Sequence, residues 1–372
     1  MFLIDHLDSG GAPVVVRDLM LGMLRFGVRV TLVILSDRQR YKLPPDIRVA
    51  QIPPAKSTWL TRYNRYSLHA KLLDRWLACQ PNGFDLVLAH LHHAHQVVSR
   101  SRIAMSAWYC LHADPVTGFL GNKQGLGRWL KRRKVRHLYD GKRILTVSSG
   151  MLRRLIDHFG VRPCPGESIH NPLNVSLIRD LSQHDVSDVP VDFLLFVGRM
   201  DLRQKRLDRL LDAYKMSGVH LPLVLIGGGS NIEKVKGMVR ERELTPNVLL
   251  VGSKDNPFAY MARARALLLS SDYEGFSLVL AEALACRTPV VSVDCPSGPA
   301  EILTGPLSRW LVPLNDPKAF AQTIRDVVAN PPKIAEDACQ RFDVSLVVKR
   351  YLALDGGPVS GGKVNGTSFP GL

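Results

Sequence analysis

Short, almost wholly apolar runs recur along this chain, separated by segments long enough for a helix. In the second half they are Phe193–Val197, Pro222–Ile226, Val248–Val251, Ala266–Leu269 and Pro289–Val293. A strand that is apolar on both faces must be covered on both faces, which is the condition of a parallel sheet flanked by helices. The first half carries the rhythm less cleanly. There, Met1–Leu7, Arg29–Leu35, Asp85–Ala89, Ala104–Leu111 and Arg143–Val147 read as strands, and Pro13–Phe26 reads as a helix. Strand and helix in alternation predict βαβ units. At 372 residues, 46% of them hydrophobic, the chain exceeds what one core usually holds. The expectation is an α/β protein: two Rossmann-like doubly wound domains in tandem, with a cleft between them where the strands' carboxyl ends meet. The polar stretch His184–Asp192, closed by Pro190, sets a border near residue 185. This gives domains 1–184 and 185–354, and a tail, 355–372, whose lack of periodicity predicts disorder.

No apolar run reaches the roughly 18–20 residues of a membrane-spanning helix, and the opening, which carries Asp5 and His6, does not read as a signal peptide. Cys79, Cys110, Cys164, Cys286, Cys295 and Cys339 form no C-x-x-C pair, so zinc-ribbon and dithiol redox chemistry are not expected and a reducing compartment is. His90, His92, His93 and His95 are the only cluster with metal-ligand chemistry. On a strand end and its loop they point to different faces, and no metal site is expected. The net charge of +16 is unevenly spread: 27 basic against 12 acidic residues over 1–180 give +15, and 22 against 21 over 181–372 give +1. A basic first half predicts an anionic partner: nucleic acid, lipid headgroups or a phosphorylated substrate.

Four segments carry chemistry. SDYEGFSLVLAEALACRTPVVSVD (271–294) has a polar turn with Glu274 and Gly275, then a helix from about Ser277, expected as its cap, to Ala285. Backbone N–H groups near Phe276, Ser277 and Leu278 suit a diphosphate. Glu274 fits either a ligand contact or an acidic turn complementing the helix dipole. Glu282, eight residues on and surrounded by apolar residues, needs a partner. In FLLFVGRMDLRQKRLDRLL (193–211), Arg199 and Lys205 follow a buried strand and can hold a diphosphate leaving group, whereas Arg203 and Arg206 read as a solvated loop. After the first strand, Gly10 and Gly11 make a tight turn that lets a phosphate or sugar approach the backbone, though a plain β–α turn also uses glycine. His112 closes the Ala104–Leu111 run in LHADP, as a site residue or a loop histidine without a role. Ser148–Gly150 and Ile169–Leu173 are weaker loop signals of the same kind.

In this order the motifs resemble the retaining glycosyltransferases with two Rossmann-like domains called group 1 or family 4, and among them the branch that builds bacterial lipopolysaccharide and capsule. The resemblance runs from the glycine pair through NP at 171–172, GR at 198–199 and E-x7-E to DCPSGPAEIL at 294–303, VP at 312–313 and RFDVSLVVKRYLAL at 341–354, the family's closing helix. It implies that Glu282 binds the donor's ribose hydroxyls, and that Glu274 sits by the donor sugar. Arg199 and Lys205, with N–H groups near Ser277 and Leu278, would bind the diphosphate. Gly10 and Gly11 would line the cleft, and His112 would contact the donor sugar. The Arg199-to-Lys205 spacing is one residue longer than the family's commonest, so Arg203 can share the role of Lys205.

The implied reaction transfers a hexose or N-acetylhexosamine from a nucleotide diphosphate sugar, with UDP the favoured nucleotide, with retention and without a metal or other cofactor. The acceptor would be lipid-linked or a lipopolysaccharide or polysaccharide. The alternatives are a nucleotide-sugar epimerase or hydrolase of related fold, and a noncatalytic basic binder of membrane or nucleic acid, which leaves Glu274, Glu282 and Arg199 unexplained. The basic stretch Lys123–Arg143 places Leu126, Trp129, Leu130, His137 and Leu138 roughly on one side of a helix, and Arg62, Arg65, Lys71 and Arg75 accompany Trp59 and Trp76. These fit either a surface helix packed on its own domain or an anionic membrane surface. Because the donor's charge is met in the second half, the first-half excess points to an anionic acceptor or its lipid surface, not to nucleic acid. The expected location is the cytoplasm, peripheral on the inner face of the cell membrane.

Overall fold

The computed structural model describes residues 1–8, 10–38, 42–54 and 64–354. The strands are β1 (Phe2–Ile4), β2 (Thr31–Ile34), β3 (Arg48–Gln51), β4 (Leu88–His90), β5 (Trp108–Leu111), β6 (Arg143–Thr146), β7 (Gly166–Ser168), β8 (Leu194–Val197), β9 (Leu223–Ile226), β10 (Val248–Gly252), β11 (Ala266–Leu269), β12 (Val290–Asp294) and β13 (Leu311–Pro313). They form two sheets, ordered β3-β2-β1-β4-β5-β6-β7 and β10-β9-β8-β11-β12-β13, and every strand pairing is parallel. Both are doubly wound: strand order reverses between β1 and β4, and again between β8 and β11. Crevices for ligands open at such reversals, beyond the carboxyl ends of the strands.

The central strands are buried throughout, as their apolar runs require. The expected first-half strands are longer than the observed ones. Met1–Leu7 contributes only Phe2–Ile4, and Ala104–Leu111 only Trp108–Leu111, because residues 102–106 turn before the chain enters the sheet. The edge strands β3 (RVAQ) and β7 (GES) carry no apolar run, since an edge strand need not be apolar on both faces. His92–Val98 is a helix and not a loop.

The chain crosses between the two bodies twice, side by side. Leu173 N–H donates to the Phe342 carbonyl at 2.8 Å, and Val344 N–H donates to the Leu173 carbonyl at 2.9 Å. The helix Val175–Ser182 already packs on Phe258–Arg263 and Leu278–Ala285 of the second body, ahead of the border expected at 185. The helix Val344–Leu352 returns to the first body and packs on the helix Gly11–Arg25. There a Cβ on Gly22 would lie 2.7 Å from Val344 and 2.8 Å from Val348, so only glycine lets the two helices touch. The tail 355–372, with Trp59 and Arg62, lies outside the described residues. No helix among the described residues is long and apolar enough to cross a membrane.

Candidate active site

The loops after β8 and β11 meet at the second sheet's reversal. Lys205 Nζ donates to Glu274 Oε1 at 2.7 Å, with side-chain exposures of 12% and 9%, so the pair is shielded from bulk water. The backbones of the two loops are tied together as well. Asp272 N–H donates to the Gln204 carbonyl, Ser270 Oγ to the Lys205 carbonyl, and Gln204 Nε2 to the Tyr273 carbonyl. Arg199 is exposed and forms no ion pair among the described residues, and its guanidinium donates to Gln204 Oε1 at 3.2 Å. Lys205, not Arg203, is the cation brought to Glu274. Arg206 is not simply solvated: at φ 46° it pairs with Asp208 and Asp272, beside Arg209 on the same Asp272.

The helix expected from Ser277 spans Leu278–Ala285, but Ser277 does not cap it with its side chain. Its backbone is left-handed, φ 68° and ψ 60°, and its Oγ is buried without a hydrogen-bond partner. The hydroxyl is therefore not used by its own helix. Glu282 lies one turn further along, half-buried, with no hydrogen bond or ion pair among the described residues. Burial, followed by the charge of Asp18 from the first body, raises its carboxyl to about 7. The expected need for a partner is thus unmet among the described residues. Leu278 packs against the core of the first body, so this helix start forms part of the boundary between the two bodies.

Across the cleft, the first sheet's carboxyl edge is furnished with Asp5 and a set of histidines. Asp5, after β1, accepts from the N–H groups of His93 and Ala94 at 3.0 and 2.6 Å, and burial raises its carboxyl to about 6 against the pull of those bonds. His90 Nδ1 and His112 Nε2 share a hydrogen bond of 2.8 Å. The other three histidines of the cluster go elsewhere: His93 to His69, His95 to Tyr139 and the Ala89 carbonyl, and His92 to Gln96. Gly10 has φ 106°, and an added Cβ at Gly10 or Gly11 meets nothing within 4 Å, so space beside this turn is open.

The two edges touch around the turn that holds Gly275. A Cβ on Gly275 would sit 2.3 Å from the His112 carbonyl oxygen, which places the E-x7-E turn directly on the histidine loop. Ser148 Oγ donates to the Gly275 carbonyl at 2.7 Å, and Ser297 Oγ to the Glu274 carbonyl at 2.6 Å. Beside them, Glu301 accepts from Ser149 N–H, Gly150 N–H and His170 Nε2 at 2.9, 2.8 and 2.9 Å. Burial works against its charge, but the bonds from His170, Gly150 and Ser149 hold it down at about 2. A carboxylate of the second body thereby caps a helix, Ser149–Phe159, of the first.

Buried polar atoms without a partner concentrate here: His6 Nδ1, His90 Nε2, His112 Nδ1, Asn171 Oδ1, Ser271 Oγ and Ser277 Oγ all lie at the strands' carboxyl ends or in the loops that follow them. Native proteins rarely leave such groups unsatisfied, and a polar ligand is one ordinary reason for them. The expected residues Glu274, Lys205 and His112 come together here, with Arg199, Glu282, Ser277 and Leu278 on the same side as Glu274 and Gly10 and Gly11 on the same side as His112. The sequence reading missed Asp18, Glu301, Ser297 and the roles of His90 and Ser148. It also missed Gly227–Gly229, where a Cβ on Gly227 would fall 1.8 Å from the Gly198 carbonyl oxygen. That glycine run directly after an apolar strand was the available signal.

Two doubly wound parallel sheets with a polar cleft between their carboxyl edges define a two-domain transferase scaffold, the GT-B fold. Residues 9–177 match the family model Glycosyltransferase Family 4, and residues 180–342 match Glycosyl transferases group 1. The chain belongs to this glycosyltransferase family. A relative from Campylobacter jejuni, N-acetylgalactosamine-N,N'-diacetylbacillosaminyl-diphospho-undecaprenol 4-alpha-N-acetylgalactosaminyltransferase, is 26% identical over 328 residues, 87% of this chain and 88% of the relative. The lipopolysaccharide 1,6-galactosyltransferase of Escherichia coli is 30% identical over 192 residues, which cover 50% of this chain and 52% of that enzyme. Among solved structures, a lipopolysaccharide outer core galactosyltransferase in its apo form shares the fold with TM-score 0.70 at 21% identity, over 94% of this chain and 97% of that one. An Anabaena protein in complex with UDP and glucose does so with TM-score 0.71 at 18% identity, over the same shares of the two chains.

Proposed function

We propose that this glycosyltransferase moves a hexose or N-acetylhexosamine from a UDP-sugar, with retention and without a metal, to a lipid-linked, lipopolysaccharide or polysaccharide acceptor at the inner face of the cell membrane. The observation that carries the reading is the shielded Lys205–Glu274 pair set against His112, with the uncompensated Glu282 on the helix that follows. Glu282 takes the ribose, where two hydroxyls supply the hydrogen bonds it lacks. Arg199 and Lys205 take the diphosphate, and N–H groups near Ser277 and Leu278 assist. These two cations supply the leaving-group charge stabilisation that other transferases draw from a metal ion.

Glu274, held by Lys205, lies beside the anomeric carbon, and His112 meets the sugar from the first body. The bond from the anomeric carbon to the diphosphate oxygen breaks as the acceptor hydroxyl attacks from the same face. That hydroxyl's proton passes to the departing phosphate, so no strong protein base is needed. Burial lowers the His112 imidazole to about 4, which suits a neutral hydrogen-bonding ring. The activities of the C. jejuni and E. coli relatives and the UDP in the Anabaena structure support the donor and acceptor classes.

The helix Gly125–Tyr139 supports the membrane surface. Val135, Leu138 and Tyr139 are buried in the first body, whereas Leu126, Trp129 and Leu130 are exposed at 71%, 50% and 45% beside exposed Arg132, Arg133 and Lys134. Leu138 therefore leaves the outward face on which it was expected. Trp76 also turns inward, half-buried and stacked on Phe84.

Titration calorimetry with UDP tests the reading. Glu282→Ala removes two charge-assisted hydrogen bonds, about 3 kcal/mol together, so affinity is expected to fall about 100-fold. Unchanged affinity would remove the basis for the donor site.

A further inference from the structure

Transfer chemistry gives His112 a task and leaves its buried partner His90 without one. His90 ends β4, fully buried, and Phe2 stacks on its ring at 5.7 Å between centroids. The backbone beyond it is held in place. Leu91 has φ 74° and ψ 165°, a conformation costly for any residue with a Cβ, and Asp5 holds the N–H groups of His93 and Ala94. His90 Nδ1 meets His112 Nε2 at 2.8 Å, with ring centroids 5.1 Å apart.

Each neutral imidazole carries one N–H, so its partners reveal its tautomer. His95 Nε2 faces the Ala89 carbonyl and must donate, so its Nδ1 accepts from the Tyr139 hydroxyl. His69 Nε2 faces the Ile52 carbonyl and must donate, so its Nδ1 accepts from His93 Nε2. At His90 and His112 no such carbonyl decides. Their outer nitrogens, His90 Nε2 and His112 Nδ1, are buried and unpartnered. Two arrangements with equal proton counts follow. In one, His90 Nδ1–H donates, and His112 presents an N–H at Nδ1. In the other, His112 Nε2–H donates, and His112 presents a lone pair at Nδ1 while His90 carries its proton on Nε2.

We propose that His90 is a positioning residue for sugar transfer: its hydrogen bond fixes the His112 ring plane and lets His112 Nδ1 present a donor or an acceptor, whichever the hydroxyl of the transferred sugar requires. The proposal rests on the assignment of His112 to the donor sugar. A ring locked in one tautomer by a carbonyl, as in His69 and His95, accepts only one orientation of the hydroxyl opposite it. The His90–His112 pair accepts either.

The test is nitrogen-15 NMR of histidine-labelled protein, wild type against His90→Leu and His90→Asn, free and with UDP, UDP-galactose or UDP-N-acetylgalactosamine. Turnover is read as UDP release. In the wild type, a UDP-sugar that binds should drive the His112 nitrogens to a single tautomer, and UDP alone should not. His90→Leu should change the His112 nitrogen shifts in the free protein, lower kcat roughly 10–30-fold and leave the UDP Kd within about twofold, which corresponds to the loss of one hydrogen bond of ~1.5–2 kcal/mol. His90→Asn places an amide near the Nδ1 position and should recover kcat to within a few-fold. Wild-type His112 shifts in His90→Leu, or wild-type kcat, would overturn the proposal. Should His90→Leu fail to fold, the Asn variant carries the test, and His112 shifts showing no bond to residue 90 would overturn it. If the wild type binds no nucleotide sugar, the transferase site reading fails separately, and the free-protein spectra still decide the coupling of the two rings.

Discussion

The two edges of the cleft handle buried polarity in opposite ways. On the second edge charge meets charge: Lys205 with Glu274, then Arg206 and Arg209 with Asp272. On the first edge, apart from the Asp114–Arg154 ion pair, His90, His93, His95 and His112 bond to other histidines or to neutral oxygens, and burial keeps these four neutral. The second edge is built for a ligand that brings several negative charges. The first suits hydroxyl groups, which need oriented donors and acceptors and no counter-charge. The basic excess of the first half consequently lies elsewhere, on outward helices such as Gly125–Tyr139.

Removing the charge of the second edge should have the largest effect. Lys205→Ala is expected to slow transfer by about 10²–10³-fold, the usual loss when one donor to a developing negative charge is deleted. It also leaves Glu274 buried and unpaired, at a cost of roughly 3–5 kcal/mol of stability. Adding Glu274→Gln should restore the melting temperature and leave the turnover low. Recovery of turnover in that double variant would make the pair a structural strut and erase the difference between the edges.

The contact between the edges is the next place to break. Gly275→Ala puts a Cβ 2.3 Å from the His112 carbonyl, so the loops must separate by about 1 Å. A misplacement of that size costs on the order of 100-fold in rate. UDP affinity, which depends on the second edge, should change far less. Equal losses in UDP affinity and kcat would show that the two edges act as one unit. The outward charge is tested with anionic vesicles: Arg132→Ala with Arg133→Ala should weaken sedimentation about 30-fold at low salt, at roughly 1 kcal/mol per charge. No binding by the wild type would sever the first-half charge from any lipid surface.

What the sequence made legible follows the same division. The second half declared itself because its strands are buried on both faces: Ala266–Leu269 is a strand as read, and Phe193–Val197 differs from β8 by one residue. The acids and cations of its edge sit within short, recognisable segments. The first half was harder. Its edge strands RVAQ and GES look like loops, and its site is assembled from residues far apart, such as His90 with His112. Ser277 was misread because serine before a helix ordinarily caps it, whereas its left-handed backbone leaves its side chain without a bond to that helix. Gly275 was visible, but its reason, the oxygen of His112, belongs to the other body.

The smallest expected effect is also the most direct measure of what the second edge lacks. Glu282 has no cation among the described residues, and burial, followed by the charge of Asp18, raises it from the ordinary 4.5 to about 7. Between those two values the folded protein keeps a proton that the unfolded chain releases. Stability is therefore lost as pH rises from about 4.5 to 7, and the loss is complete above 7. Glu282→Gln has no such proton, so relative to wild type it should melt at a nearly equal temperature at pH 4.5 and a few degrees higher at pH 8. Saturating UDP should reverse the order at pH 8, because ribose hydroxyls can satisfy the carboxylate and an amide accepts fewer hydrogen bonds. If Glu282→Gln melts below wild type at pH 8 without ligand, the carboxylate already has a partner within the protein, and the second edge does not depend on a ligand to satisfy it.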